Sequence, residues 1–411
     1  MRRALLYGPP LAFSSYAYLE PPTYKEKIRG TYENKIRQNA PPEKIFETFA
    51  SVKEGKKFYM TLNDFFYAIT PFNYSKGKDQ DFFEQHESLI FKMADGNGDG
   101  KMSFTEYFFF IVLLSTGASV VKPFFDSKGG KVTKEQFMEL MNQAKKTSNQ
   151  GRSQVDSGSM IDPRSTNLSE EEYLLSCQKL AELLFKGNEY ISWHDFVKLK
   201  NLIQEELLFY EFHQFEVDES DMTISAEDFA KSIISYLPTS KVDDYLRRIE
   251  KLKFEGKVTY EEYLAFMHVL CNTKSLQKAL LTQETEGRGL SRVEIRKALN
   301  QLCEESAFIK KNNLSISNLQ VTVFMKLLDL DDSGYLEPEE FFNILVSRNF
   351  FGTNQPGKPS TENFLRYLKV KLNKVIEKFG FEPYFSVEDY TEIVGKTVKH
   401  SSDYDESDEN F

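Results

Sequence analysis

Apolar helical stretches along this chain are punctuated by polar loops that end on one repeated pattern. An apolar residue is followed by Ser, Thr or Glu, three positions later by Asp, Glu or Gln, and then at once by an aromatic or apolar residue. The pattern reads Met60-Thr61 to Asp64-Phe65, Met102-Ser103 to Glu106-Tyr107, Val132-Thr133 to Gln136-Phe137, Ile191-Ser192 to Asp195-Phe196, and Ile224-Ser225 to Asp228-Phe229. It continues as Val258-Thr259 to Glu262-Tyr263, Leu290-Ser291 to Glu294-Ile295, Leu336-Glu337 to Glu340-Phe341, and Phe385-Ser386 to Asp389-Tyr390. Nine copies, several about 30–34 residues apart, make an internal repeat, and a repeat of this period is one supersecondary unit packed on its neighbours. Ser/Thr-x-x-Asp/Glu alone is an ordinary helix start. The apolar residue before it and the aromatic after it set these copies apart, and predict a short strand leading into a helix.

Two copies are preceded by a complete metal-binding loop. In Asp95–Glu106 the side chains of Asp95, Asn97 and Asp99 offer oxygens at positions one, three and five, and Gly100 at position six permits a sharp left-handed turn. Lys101 contributes only its carbonyl at position seven, Ser103 binds directly or through water at nine, and Glu106 closes the cage at twelve. That is the calcium loop of an EF-hand. The flanks agree, with Phe83, Ile90 and Met93 at helical spacing before it and an apolar run from Tyr107 to Val112 after it. In Asp329–Glu340 the same places hold Asp329, Asp331, Ser333, Gly334, Tyr335, Glu337 and Glu340, with Pro338 where its missing N–H costs nothing. Four ligand carboxylates against three predict binding at least as tight as in the first loop.

Other copies lack this chemistry. Val217, Glu219 and Asp221 precede Ile224, with Met222 where glycine is needed; Lys251, Lys253 and Glu255 precede Val258. Arg288 takes position six before Leu290, while Phe125 and Gln136 take positions one and twelve around Val132. These copies are expected to be structural, supplying the strand partner that each loop's open edge requires. The fold class expected is all-α: multiple EF-hand helix-loop-helix repeats in two lobes, two calcium-competent and several degenerate.

Composition narrows the function. A chain of 411 residues accommodates roughly two to four domains, and 36 Phe with 21 Tyr suffice for buried cores. A net charge of −10 argues against a nucleic-acid partner and suits divalent cations. Cys177, Cys271 and Cys303 form neither a disulfide framework nor a zinc pattern. The longest apolar run, Phe108–Leu114, is far short of the ~20 residues that span a bilayer. Catalytic signals are absent: Gly96, Gly98 and Gly100 precede no P-loop Lys-Ser/Thr, and the five histidines are isolated.

The expected organisation is a leader at 1–24, an N-terminal domain at 25–78, an N-lobe at 79–205 and a C-lobe at 206–350, with a C-terminal segment at 351–411. The leader carries Arg2 and Arg3 and no acid before Glu20, as a mitochondrial presequence or a disordered basic leader would. The N-lobe contains a flexible insert near 145–167, rich in Ser, Gly, Asn and Gln. The C-terminal segment follows a Gly/Pro linker, Gly352–Ser360. It has a helix near Glu362–Phe379 with Leu365, Leu368, Leu372 and Ile376 on one face, a degenerate hand and an acidic tail.

Tyr32-Glu33-Asn34-Lys35-Ile36-Arg37, Pro42-Glu43-Lys44-Ile45-Phe46 and Phe49-Ala50-Ser51 resemble the N-terminal domain of the mitochondrial calcium uptake proteins, EF-hand gatekeepers of the calcium uniporter. Met60-Thr61, Asp64-Phe65 and Ala68-Ile69-Thr70-Pro71 continue the resemblance in order, and it extends over roughly residues 25–350. The resemblance implies a calcium-sensing regulatory subunit in the intermembrane space, peripheral to the inner membrane. It would act as a homo- or heterodimer on a mitochondrial channel complex. Lys25, Lys27, Lys35, Arg37 and Lys44 are candidates to meet an acidic channel mouth, and equally a solvated helix face. The chain departs from the family in three respects. Its intact first loop precedes Leu113-Leu114-Ser115-Thr116, where the family's follows; Asn39 and Glu47 stand where pore-plugging members carry an aromatic and a basic residue; and no cysteine follows Cys303. The alternative is an EF-hand structural subunit of a larger mitochondrial membrane complex, with calcium as a clamp.

Overall fold

The structure is a computed structural model that describes residues 22–75, 88–116, 118–147, 168–283, 289–337 and 341. Most of the leader and of the insert, the late helix, the ninth copy of the repeat and the acidic tail lie outside these residues, as does Glu340. Lys145 and Lys146, assigned above to the insert, instead form the last turn of the helix Lys134–Thr147.

The apolar residue that opens each described copy has a partner in another copy. Met60 and Met102 exchange backbone hydrogen bonds of 2.9 Å in both directions, as do Leu290 and Leu336 at 2.9 and 2.8 Å. Val132 lies opposite Ile191, and Ile224 opposite Val258, in two short antiparallel ribbons. Eight copies thus close four pairs. The physical reason is the edge: a lone strand leaves backbone donors and acceptors unmet, and a second loop meets them at once. Each intact loop is paired with a copy that lacks its ligands, Asp95–Glu106 with the Met60 copy and Asp329–Glu340 with the Leu290 copy.

The polar half of the pattern builds helices. Thr61, Ser103, Ser192, Thr259 and Ser291 each cap the following helix, and Asp64, Glu106, Asp195, Glu262 and Glu294 each return to the cap's backbone N–H. The acid at position twelve therefore has a capping role also in copies without the full set of ligand residues, satisfying donors otherwise orphaned at a helix start. The left-handed turn at position six also survives. It is taken by Gly100, Gly130, Gly256 and Gly334, and by Met222 at φ 51°, where a side chain makes it costly.

Around the first pair the core is aromatic. The helix Phe104–Ser115 is buried from Phe104 through Leu113, so its all-round hydrophobicity reflects enclosure on every side. Phe65 meets Phe110 edge-on at 5.1 Å, and Phe66 stacks on Tyr210 at 3.6 Å between ring centres. Tyr210 belongs to the helix Trp193–His213, whose 21 residues span about 30 Å. Polar bonds continue from the N-terminal segment to the second group of hands. Gln38 donates to the Leu237 carbonyl at 2.7 Å, Asn73 to Gln214 at 2.9 Å, and Ser75 to Asp228 at 2.5 Å.

The Tyr-Glu-Asn block proves to be structural. Asn34 accepts from the Phe72 N–H at 2.8 Å and donates to the Phe72 carbonyl at 3.1 Å. Arg37 donates to Asn34 and twice to the Tyr67 carbonyl, and is wholly buried. It cannot meet an acidic partner, so it leaves the set of candidate surface bases; Lys25, Lys35 and Lys44 remain exposed. Gly30 lies on the same helix because a Cβ there would come within 2.3 Å of the Phe72 ring.

Candidate calcium sites

The first loop begins where the incoming helix Leu89–Ala94 ends, Asp95 being its C-terminal cap. Asp95 Oδ1 accepts from Gly98 N at 2.7 Å and Asp99 N at 3.2 Å, and Oδ2 from Gly100 N at 3.0 Å. Asn97 Oδ1 accepts from Asp99 N at 2.8 Å, and Asp99 Oδ1 from Lys101 N at 2.9 Å. This ladder of short-range bonds fixes three successive side-chain oxygens on the loop, and requires left-handed backbone at Gly98 and Gly100. Lys101 is anchored by its ammonium to Glu54 of the paired copy, leaving its carbonyl the contribution expected of it.

Glu106 comes back from the outgoing helix Phe104–Ser115 to the start of the loop. Its Oε1 accepts from Gly96 N at 2.9 Å and Asn97 N at 3.3 Å, and Oε2 from Ser103 N at 2.8 Å. Burial pushes its carboxyl above the ordinary range, the backbone bonds oppose that, and the Asp95 charge adds to it. A dehydrated carboxylate beside another anion is a place where a divalent cation would be stabilising. The donor set, all oxygen from Asp95, Asn97, Asp99, Lys101, Ser103 and Glu106, fits a hard cation of calcium's size. Among the described residues no three acidic, His or Cys side chains are preassembled around one point.

In the second loop Asp329 Oδ1 accepts from Ser333 N at 2.9 Å and Oδ2 from Gly334 N at 2.9 Å, while Asp331 Oδ1 accepts from Ser333 N at 3.0 Å. Ser333 Oγ lies 2.9 Å from the Tyr335 carbonyl, so the oxygens of positions five and seven stand together. Hydrogen bonds from Ser333 hold the Asp331 carboxyl below its usual range. Glu337 is exposed. Position four is left-handed here too, at Asp332. Its carboxylate pairs with Arg248 at 2.7 Å, which also donates to the Lys326 and Asp329 carbonyls.

Three side chains outside the loops hold the first hand, and periodicity alone does not reveal them. Glu206, on the helix Trp193–His213, accepts from Ser88 Oγ at 2.6 Å and Ile90 N at 3.2 Å, capping the incoming helix. Lys200, two turns earlier, donates to the carbonyls of Leu113, Leu114 and Thr116 at 3.2, 3.1 and 3.4 Å, capping the outgoing one. An anion sits at a helix start and a cation at a helix end, the signs that the backbone dipoles favour. Burial pushes the Lys200 ammonium down to about 8. The third is Glu172 of the helix Glu170–Phe185, whose Oε2 accepts from Ser103 Oγ at 3.1 Å. The spacing Ser169-x-x-Glu172 is that of an ordinary helix start, and Lys200 and Glu206 are two charges among several on a long helix, so neither carries a signal in sequence.

Glu206 makes stability depend on pH. Burial pushes its carboxyl up to about 7, from an ordinary 4.5. Between those values the folded chain holds a proton that the unfolded chain releases, so this contribution to stability falls as pH rises. The cost above the upper value is on the order of 3 kcal/mol. Glu206→Gln keeps an accepting oxygen without the charge. In chelator, the variant is expected to match the parent in urea denaturation near pH 5 and to exceed it near pH 8. A difference that does not grow with pH would contradict this assignment.

No family model matches the chain. It is 26% identical over 349 residues to the mitochondrial calcium uptake protein of Arabidopsis thaliana, covering 79% of this chain and 67% of that one. It is 24% identical over 359 residues to calcium uptake protein 1, mitochondrial, of Homo sapiens, covering 79% of this chain and 70% of the relative. Among solved structures it aligns with the apo structure of the mitochondrial calcium uniporter protein MICU2 at a TM-score of 0.49 and 18% identity, over 83% of this chain and 98% of that one. These relatives are named as calcium uptake proteins and not as enzymes. With a repeat of paired hands, two intact loops and sequence similarity over four-fifths of its length, the chain is a homologue of the mitochondrial calcium uptake proteins.

Proposed function

We propose that this chain is a calcium-sensing regulatory subunit of mitochondrial calcium uptake, working in the intermembrane space on a channel complex as a homo- or heterodimer. The observation that carries this reading is the asymmetry of the pairs. Each intact loop is joined through its strand residue to a copy without calcium ligands, so each of these two pairs has one half able to respond to the ion and one half that holds the frame. Bound calcium supplies the divalent charge that draws loop carboxylates together. Glu106 is the residue placed to report it, because it ties the start of the loop to the first turn of the outgoing helix. Reorientation of the outgoing helix works against Lys200, and of the incoming helix against Glu206, so a shift at the loop bears directly on the helix Trp193–His213. Among the described residues no helix is long and apolar enough to cross a membrane, in keeping with peripheral attachment.

The test is affinity capture of the tagged full chain from mitochondria, in calcium and in chelator, read by mass spectrometry. The reading expects the channel subunits of calcium uptake among the captured proteins, in amounts that change between the two conditions. Capture of an unrelated assembly would overturn it. An unchanged amount of channel subunits would leave calcium as a clamp and the chain as a structural subunit.

A further inference from the structure

We infer that Glu172, which lies outside the loop Asp95–Glu106, belongs to the shell of the first calcium site and strengthens it. The inference rests on the calcium-sensing reading of that loop and deepens it.

Helix Glu170–Phe185 starts like the others in the chain, with Ser169 accepting from Glu172 N, yet its capping box is left open. Both free ends of the box go to the first hand. Ser169 N donates to Thr105 Oγ1 at 3.0 Å, and Glu172 Oε2 accepts from Ser103 Oγ at 3.1 Å. Further along the same helix, Ser176 Oγ donates to the Ala94 carbonyl at 3.3 Å. A Cβ on Gly96 would lie 2.8 Å from Ser176 N and 3.0 Å from Ser176 Cα, so glycine at position two of the loop permits this approach. The helix is thus laid along positions two, nine and eleven, and it delivers one carboxylate, to position nine.

Position nine of a calcium loop is often filled through water. Ser103 is short and neutral there, and its Oγ also accepts from Glu106 N at 3.3 Å. A carboxylate directly behind it orients that hydroxyl and adds a fourth negative charge to those of Asp95, Asp99 and Glu106. The second loop receives the opposite neighbour, the Arg248 guanidinium on Asp332 and the Asp329 carbonyl. Counting loop carboxylates alone therefore misorders the two sites: the first is the tighter. Glu172 is a positioning residue acting through Ser103, the kind of outer-shell group whose loss typically weakens metal binding roughly 10–100-fold.

Isothermal titration of the full chain with calcium tests this, with Glu106→Gln identifying the first site. Glu172→Gln keeps an acceptor for Ser103 and removes the charge. It is expected to weaken the first site roughly tenfold, with the second site and the thermal midpoint in chelator unchanged. Ser169→Ala loosens the same helix start without altering charge. An unchanged first site in Glu172→Gln, or an equal weakening in Ser169→Ala, would overturn the role of Glu172. Failure of Glu106→Gln to remove any calcium event would instead overturn the calcium reading of the loop.

Discussion

Glu106→Gln should abolish calcium binding at the first loop, weakening it by two orders of magnitude or more, while the chain stays folded and helical. The ligand at position twelve is the one that supplies two oxygens at once, and an amide offers one weak oxygen and no charge. The choice of substitution matters because Glu106 is more than a ligand. It is 1% exposed and accepts three backbone N–H groups, from Gly96, Asn97 and Ser103. Glu106→Lys would leave those donors facing a buried cation, and the cost of about 3 kcal/mol or more would fall on the fold as well as the site. Titration calorimetry separates the two effects. The parent should take up two ions per chain and Glu106→Gln one, with far-ultraviolet dichroism unchanged between them. Two tight ions in Glu106→Gln would remove this loop from the set of sites.

That dual role also explains how much of the fold is legible in the sequence. Ser/Thr at nine and an acid at twelve were legible in most copies because local rules alone specify them: a helix start needs a cap whether or not a metal is present. The pairing partner of each loop was not legible. Nothing near Val132 indicates Ile191, 59 positions later, rather than Met102, 30 positions earlier; the choice depends on which helices share a core. Lys200 and Glu206 failed to stand out for a related reason. On a helix with apolar and charged residues interleaved they resemble solvated charges, and only the placement of two other helix ends against this one reveals their contacts. Glu340, the closing residue of the second loop, lies beyond the described residues, so for that loop the expectation from sequence stands alone.

The Tyr-Glu-Asn block supplies the other large expected effect. Arg37→Ala should cost about 3–5 kcal/mol, the usual consequence of removing one partner from a buried charged network. Burial works against the guanidinium's charge, and the fold compensates from every side. Nε and Nη2 donate to the Tyr67 carbonyl at 3.0 and 2.8 Å, Nη1 donates to Asn34, and Glu33 lies 3.7 Å away. The Phe49 and Tyr67 rings lie 4.4 and 4.9 Å from its central carbon. Truncation strands these groups around a cavity and frees the segment 67–75, which carries Thr70, Asn73 and Ser75 to Gln214 and Asp228 of the second group of hands. Arg37→Lys should recover only part of the loss, because an ammonium cannot make the forked contact. Lys35→Ala, at an exposed neighbour, should change the unfolding free energy by less than about 0.5 kcal/mol. A basic residue used for docking would behave the other way, with near-normal stability in Arg37→Ala and weakened capture of the channel complex. Denaturation of the three variants in chelator decides between a residue that holds the N-terminal segment in place and one that faces a partner.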